Sequence, residues 1–179
     1  MKKNVFVVVL ATVLMITSEI SAQKFAELDK SPMDVASYPT SYKMSDKLVK
    51  IIYSRPQLKG RELSKLVPND KVWRTGANEA TEIIFYKDVI FGGKDVKAGT
   101  YTLFTIPSDA EWTVILSTAK NVWGSFFYKE SEDVVRVKGK VSKSDKLIET
   151  FSIVFDGEGM NAKMHLGWGN TIVTVPVKG

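Results

Sequence analysis

Arg55, Arg61 and Arg74 fall within twenty positions of one another, in a chain whose 25 basic residues include only one further arginine, Arg136. Lysine carries the surface charge elsewhere. Arginine is therefore expected where a planar, multi-donor fork is needed, to pair bidentately with a carboxylate or phosphate or to stack on a ring. The run Trp73-Arg74-Thr75-Gly76-Ala77-Asn78-Glu79 puts a guanidinium, an amide and a carboxylate on one short loop beside an indole. One reading is a site for a small polar or anionic ligand, with Trp73 as its apolar wall. The other is internal, with Arg74 paired to Glu79 or Glu62 and Asn78 holding a turn through backbone amides. Arg55 and Arg61 bracket the turn Pro56-Gln57-Leu58-Lys59-Gly60. They complete an anion pocket if that turn neighbours Arg74, and otherwise make strand-end salt bridges worth about 0–1 kcal/mol each.

Other chemistries find less support. Glu62 and Glu79 are the acid–base candidates, and a glycosidase-like pair would need roughly 5–10 Å between them. His165 is the only histidine, and there is no cysteine. That argues against a zinc centre, and no nucleophile-elbow glycine pattern accompanies the one possible imidazole base. No metal or cofactor is expected. Asp156-Gly157-Glu158-Gly159 lacks the alternating ligands of a calcium loop and reads as a β-turn. Trp112, Trp123 and Trp168, with Phe126, Phe127 and Tyr128, could form a sugar-stacking platform or fill a core. Trp168 shares a face with Met164 and Leu166 and reads as core, whereas Trp123, before Gly124 in an irregular stretch, is the candidate exposed ring.

The elements that must position these residues read as β nearly throughout. Residues 1–22 form a targeting segment: Lys2 and Lys3, an apolar run from Val5 to Ile16, then a small-residue exit ending at Ala22. Twelve apolar residues make a helix of about 18 Å, short of a bilayer core of roughly 30 Å. The mature chain, 23–179, is thus expected to be exported, periplasmic or extracellular, with no membrane span and one domain. Without cysteine, burial alone must hold it together. The net charge of +5 is scattered among acids, unlike the gathered stripe of a nucleic-acid protein. Alternation predicts strands over 47–53, 81–87, 89–91, 100–106, 111–117, 134–141, a stretch containing Phe151, Ile153 and Phe155, 162–168 and 171–177, with a hairpin turn at Ser142–Asp145. One helical turn is expected in 62–67 and another in 118–127. Eight to ten short strands at this spacing indicate an all-β antiparallel two-sheet sandwich of jelly-roll type, with a closed barrel as the alternative.

Several blocks resemble the bacterial domain-of-unknown-function family 2911, common in exported proteins of Bacteroidetes. They are Tyr53-Ser54-Arg55-Pro56, Lys59-Gly60-Arg61-Glu62, the run Lys71 to Thr81, Ala98-Gly99-Thr100-Tyr101, Leu103 to Pro107, Glu111 to Leu116 and Asp133 to Val137. Between Glu62 and Trp73 the chain departs from that pattern, with Leu63-Ser64-Lys65 and Asn69-Asp70 where an aromatic and glycines are expected. The resemblance implies export and a β-rich domain, and supplies no reaction. Three functional readings stay open. The first is a non-enzymatic module that binds a small polar or anionic ligand, a glycan or a protein end through Arg55, Arg61, Trp73, Arg74, Asn78 and Glu79. The second is a metal-independent hydrolase or lyase using Glu79 or Glu62 with Arg74. The third is a structural or partner-docking domain with an open β edge. The oligomeric state is left open.

Overall fold

The computed structural model describes residues 23–179, so the targeting segment at 1–22 lies outside the described residues. Among them, no helix is long and apolar enough to cross a membrane. Nine strands among the described residues form one antiparallel sheet: β1 (Met33–Tyr38), β2 (Val49–Ser54), β3 (Glu82–Phe85), β4 (Val89–Phe91), β5 (Lys94–Val96), β6 (Gly99–Ile106), β7 (Glu111–Ser117), β8 (Asp133–Glu158) and β9 (Asn161–Lys178). Their spatial order is β1-β2-β3-β6-β7-β8-β9-β4-β5. A single turn of helix, α1 (Leu63–Leu66), precedes Pro68, as the sequence suggests. The stretch 118–127 holds turns and no helix, and a 3-10 turn forms further on, at Glu130–Glu132.

The all-β antiparallel expectation holds. The sheet stays open and is not closed into a barrel, but it folds over itself in a sandwich-like arrangement. The fold-over comes from β8 and β9, which the sequence divides and the structure does not. No hairpin forms at Ser142–Asp145. Lys143 pairs with Thr171 and Ile148 with Gly169, so residues 144–147 bulge against Asn170 and the ladder resumes beyond them. The polar run that resembles a turn is satisfied locally: Ser144 Oγ donates to the Lys146 carbonyl at 2.7 Å, and Asn170 Nδ2 donates to the Ser144 carbonyl at 3.2 Å. A bulge of this kind bends a strand without ending it.

Beyond the bend, the tip half of the hairpin lies against the segment from Tyr53 to Leu58. Leu58 N–H donates to the Glu149 carbonyl at 3.0 Å, and Phe151 N–H to the Pro56 carbonyl at 2.9 Å. The Tyr53 hydroxyl accepts from Ile153 N–H at 3.0 Å, and burial pushes its phenol pKa up. Inward positions on both halves then meet in one cluster that includes Ile51, Tyr53, Trp73, Phe85, Phe151, Ile153, Met164, Leu166 and Trp168. Strand β1 lies outside the segments where alternation predicts strands. Met33 and Val35 are exposed, so its apolar residues do not alternate towards one face.

Candidate functional site

The Arg74–Glu79 loop is built on buried polar anchors. Trp73 N–H donates to the Thr105 carbonyl at 2.7 Å and Thr105 N–H returns the bond at 2.9 Å, which fastens the loop to β6. Thr75 and Thr81 are fully buried. Their hydroxyls reach Thr105 Oγ1 (3.1 Å) and the Thr75 carbonyl (2.7 Å) respectively, so neither side chain is left unpaired. At Gly76 the backbone approaches closely: a Cβ there would lie 3.0 Å from Thr81 Oγ1 and 3.1 Å from the Ser54 carbonyl. The loop is therefore held in one shape from below.

Its outer side pairs with a second loop. Ala80 N–H donates to the Val122 carbonyl at 2.9 Å and Gly124 N–H to the Asn78 carbonyl at 3.0 Å, which sets Glu79 directly opposite Trp123. Val122 and Tyr128 turn inward onto a small cluster of Ala80, Phe104 and Ile115, with the Tyr128 and Phe104 ring centroids 5.2 Å apart. Between these two anchors Trp123, Phe126 and Phe127 face solvent at 56, 82 and 69% exposure. Glu79 beside them is also exposed. Before β1 the Ser31 N–H donates to Asp29 Oδ1 at 2.6 Å and, with a smaller contribution from the Asn78 side chain, holds that carboxylate's pKa below the usual range.

The other residues singled out in the sequence are placed as follows. Trp73 is 8% exposed and stacks on Trp168, so it belongs to the core and forms no wall of an open cleft. Arg74 is half-buried, and desolvation lowers its pKa. Its Nε is buried with no hydrogen-bond partner, and the guanidinium enters none of the ion pairs among the described residues. Arg55 clamps the fold-over: Nη1 pairs with Asp34 Oδ2 at 2.8 Å, Nη2 donates to Ser152 Oγ at 2.7 Å and Nε to the Phe151 carbonyl at 3.1 Å. It lines a groove of about 450 Å³ with Asp34, Tyr53 and Ser152, which neither Arg61 nor Arg74 reaches. Arg61 caps its own turn through the carbonyls of Leu58 and Gln57. Glu62 is exposed at the start of α1, 3.9 Å from Lys65, on a different segment from Glu79.

Arg74, Asn78 and Glu79 thus share one loop with no ion pair among them, and Arg55 and Arg61 have separate fastening tasks. Arg55→Met is expected to lower the unfolding free energy by about 1.5–3 kcal/mol in urea titration, chiefly through the bonds to Phe151 and Ser152. The solvent-screened pair with Asp34 adds less. Arg61→Ala should cost less than about 1 kcal/mol. The sequence marks Trp123 as an exposed ring, but nothing local to it reveals Glu79 as its cross-strand partner.

A family model described as a protein of unknown function, DUF2911, matches residues 31–177, from just before β1 to the end of β9. No curated protein matches the chain, and no solved structure does.

Proposed function

Because the chain belongs to the DUF2911 family, whose description carries no activity, we propose a function from the site itself: an exported carbohydrate-binding module. The observation that carries this reading is the pairing of Glu79 with Trp123, which sets an exposed indole and an exposed carboxylate side by side on a rigid base. A sugar ring offers an apolar C–H face and a polar rim. The indole stacks on the first, while the carboxylate and the loop amides accept and donate to the second. Phe126 and Phe127, exposed in the same turn, are further rings on which a sugar could stack. Arg74 lies on the same loop, and its guanidinium, outside the ion pairs among the described residues, suits sugars that carry a carboxylate.

A lipid surface would also attract aromatic rings, but such surfaces are bound by basic faces. Here the rings have Glu79 opposite and the acidic turn Glu130–Glu132 a few residues on. The carboxylate therefore favours a polyhydroxylated ligand. Calorimetry with neutral and uronic-acid oligosaccharides tests the reading. Trp123→Ala should weaken binding at least about tenfold and leave the unfolding free energy within about 0.5 kcal/mol of wild type. Unchanged affinity in that variant, or no binding of any oligosaccharide to the wild type, would sink it.

A further inference from the structure

The bend in the long hairpin creates a second concavity, away from the Arg74–Glu79 loop. Lys140 and Ser142 from β8, Thr174 and Pro176 from the base half of β9, and Lys163 and His165 from its tip half line a groove of about 470 Å³. The two halves of β9 are locked together there: His165 Nδ1 and Thr174 Oγ1, nine residues apart, share a hydrogen bond of 2.8 Å. Neither Lys140 nor Lys163 enters an ion pair among the described residues. Lys140 stands opposite Glu111 in the β7–β8 ladder and yet does not bond to it. The remaining nearby carboxylate is Asp156, the register partner of Lys163. Its Oδ2 is 3.2 Å from His165 Nε2 but is not aligned as a hydrogen bond, so that buried nitrogen has no partner. Asp156 itself does not line the groove.

We infer that this crook binds a tetrahedral oxyanion, a phosphate or a sulfate. Two uncommitted ammonium groups, one from β8 and one from the tip half of β9, supply charge, and the Ser142 and Thr174 hydroxyls supply further donors. A lysine head is a compact point charge that can approach a tetrahedral group from any direction. No guanidinium fork is present to prefer a planar carboxylate. Lys138, two residues before Lys140 on the same exposed side of β8, extends the positive field along the approach.

The single histidine makes the test direct, because one imidazole C2–H signal in proton NMR reports on the site. The full chain is titrated at fixed pH with inorganic phosphate, inorganic sulfate, glucose 6-phosphate and glucose 6-sulfate, with sodium chloride matched for ionic strength. A saturable shift with phosphate or sulfate and none with chloride is expected. The double variant Lys140→Gln, Lys163→Gln should weaken it by about tenfold or more. Tighter binding of the sugar esters identifies an esterified group as the ligand, and tighter binding of the inorganic ions a free anion. A shift that follows ionic strength equally in chloride, or that persists unchanged in the double variant, overturns the assignment. Both lysines are exposed, so the variant is expected to fold, and its remaining NMR spectrum verifies that.

Discussion

Trp73→Ala is expected to lower the unfolding free energy by about 3–5 kcal/mol, the range for removing a large aromatic from a packed interior. The site has little means of collapsing around the void. Trp73 stacks on Trp168 at a centroid distance of 5.7 Å and meets Phe151 and Trp112 edge-on at 5.1 and 6.1 Å. Trp168 is itself tied by its indole N–H to the Glu149 carbonyl at 3.1 Å. These rings come from the site loop, from β7 and from both arms of the folded-over hairpin, so the cavity would open at the junction of all four. Urea titration followed by circular dichroism measures the loss. A cost below about 1.5 kcal/mol would mean that the hairpin settles onto the gap, and that this junction is softer than its geometry implies.

Gly157→Ala should cost a further large amount by a different mechanism. Gly157 sits just before the turn joining β8 to β9 with φ of +142°, and a Cβ there would lie 2.1 Å from the Asn161 carbonyl oxygen and 2.7 Å from Ala162 Cα. Both obstacles are main chain, so no side chain can swing aside. Left-handed strain and forced displacement together make about 3 kcal/mol or more. Gly159→Ala is the internal comparison. Its φ is +57°, but nothing lies within 4 Å of the added carbon, so only the conformational cost of about 1 kcal/mol remains. Equal midpoints for the two variants would show that the clash relaxes.

The chain announces most of its strands because inward and outward positions alternate: Val135, Val137 and Val141 against Arg136, Lys138 and Lys140, or Val173, Val175 and Val177 against their polar neighbours. It misleads at Ser142–Asp145, where polar, turn-forming types stay paired through Lys143 and then enter a bulge over 144–147. Local composition does not distinguish a strand that ends from one that bends while its partner continues. The same limit applies to the site. Arg74, Asn78 and Glu79 are readable as a polar cluster, and Trp123 as an exposed ring. Their adjacency depends on pairing across more than forty residues, which no local pattern encodes. The surroundings of Trp73 and Arg55 are hidden for a related reason. A tryptophan beside a polar loop and an arginine at a strand end look alike in sequence whether they face a ligand or the protein's own backbone.

The fold-over has a temporal consequence. Tyr53 and Leu58 are made early, yet the groups that close over them, Ile153 and Glu149, come about a hundred or ninety residues later. The segment from Tyr53 to Leu58 therefore has no route to its finished state until nearly the whole chain has been released. With contacts this remote in sequence, acquisition of structure should take milliseconds to seconds, and it should be a late, concerted event with no stepwise assembly from the N-terminus.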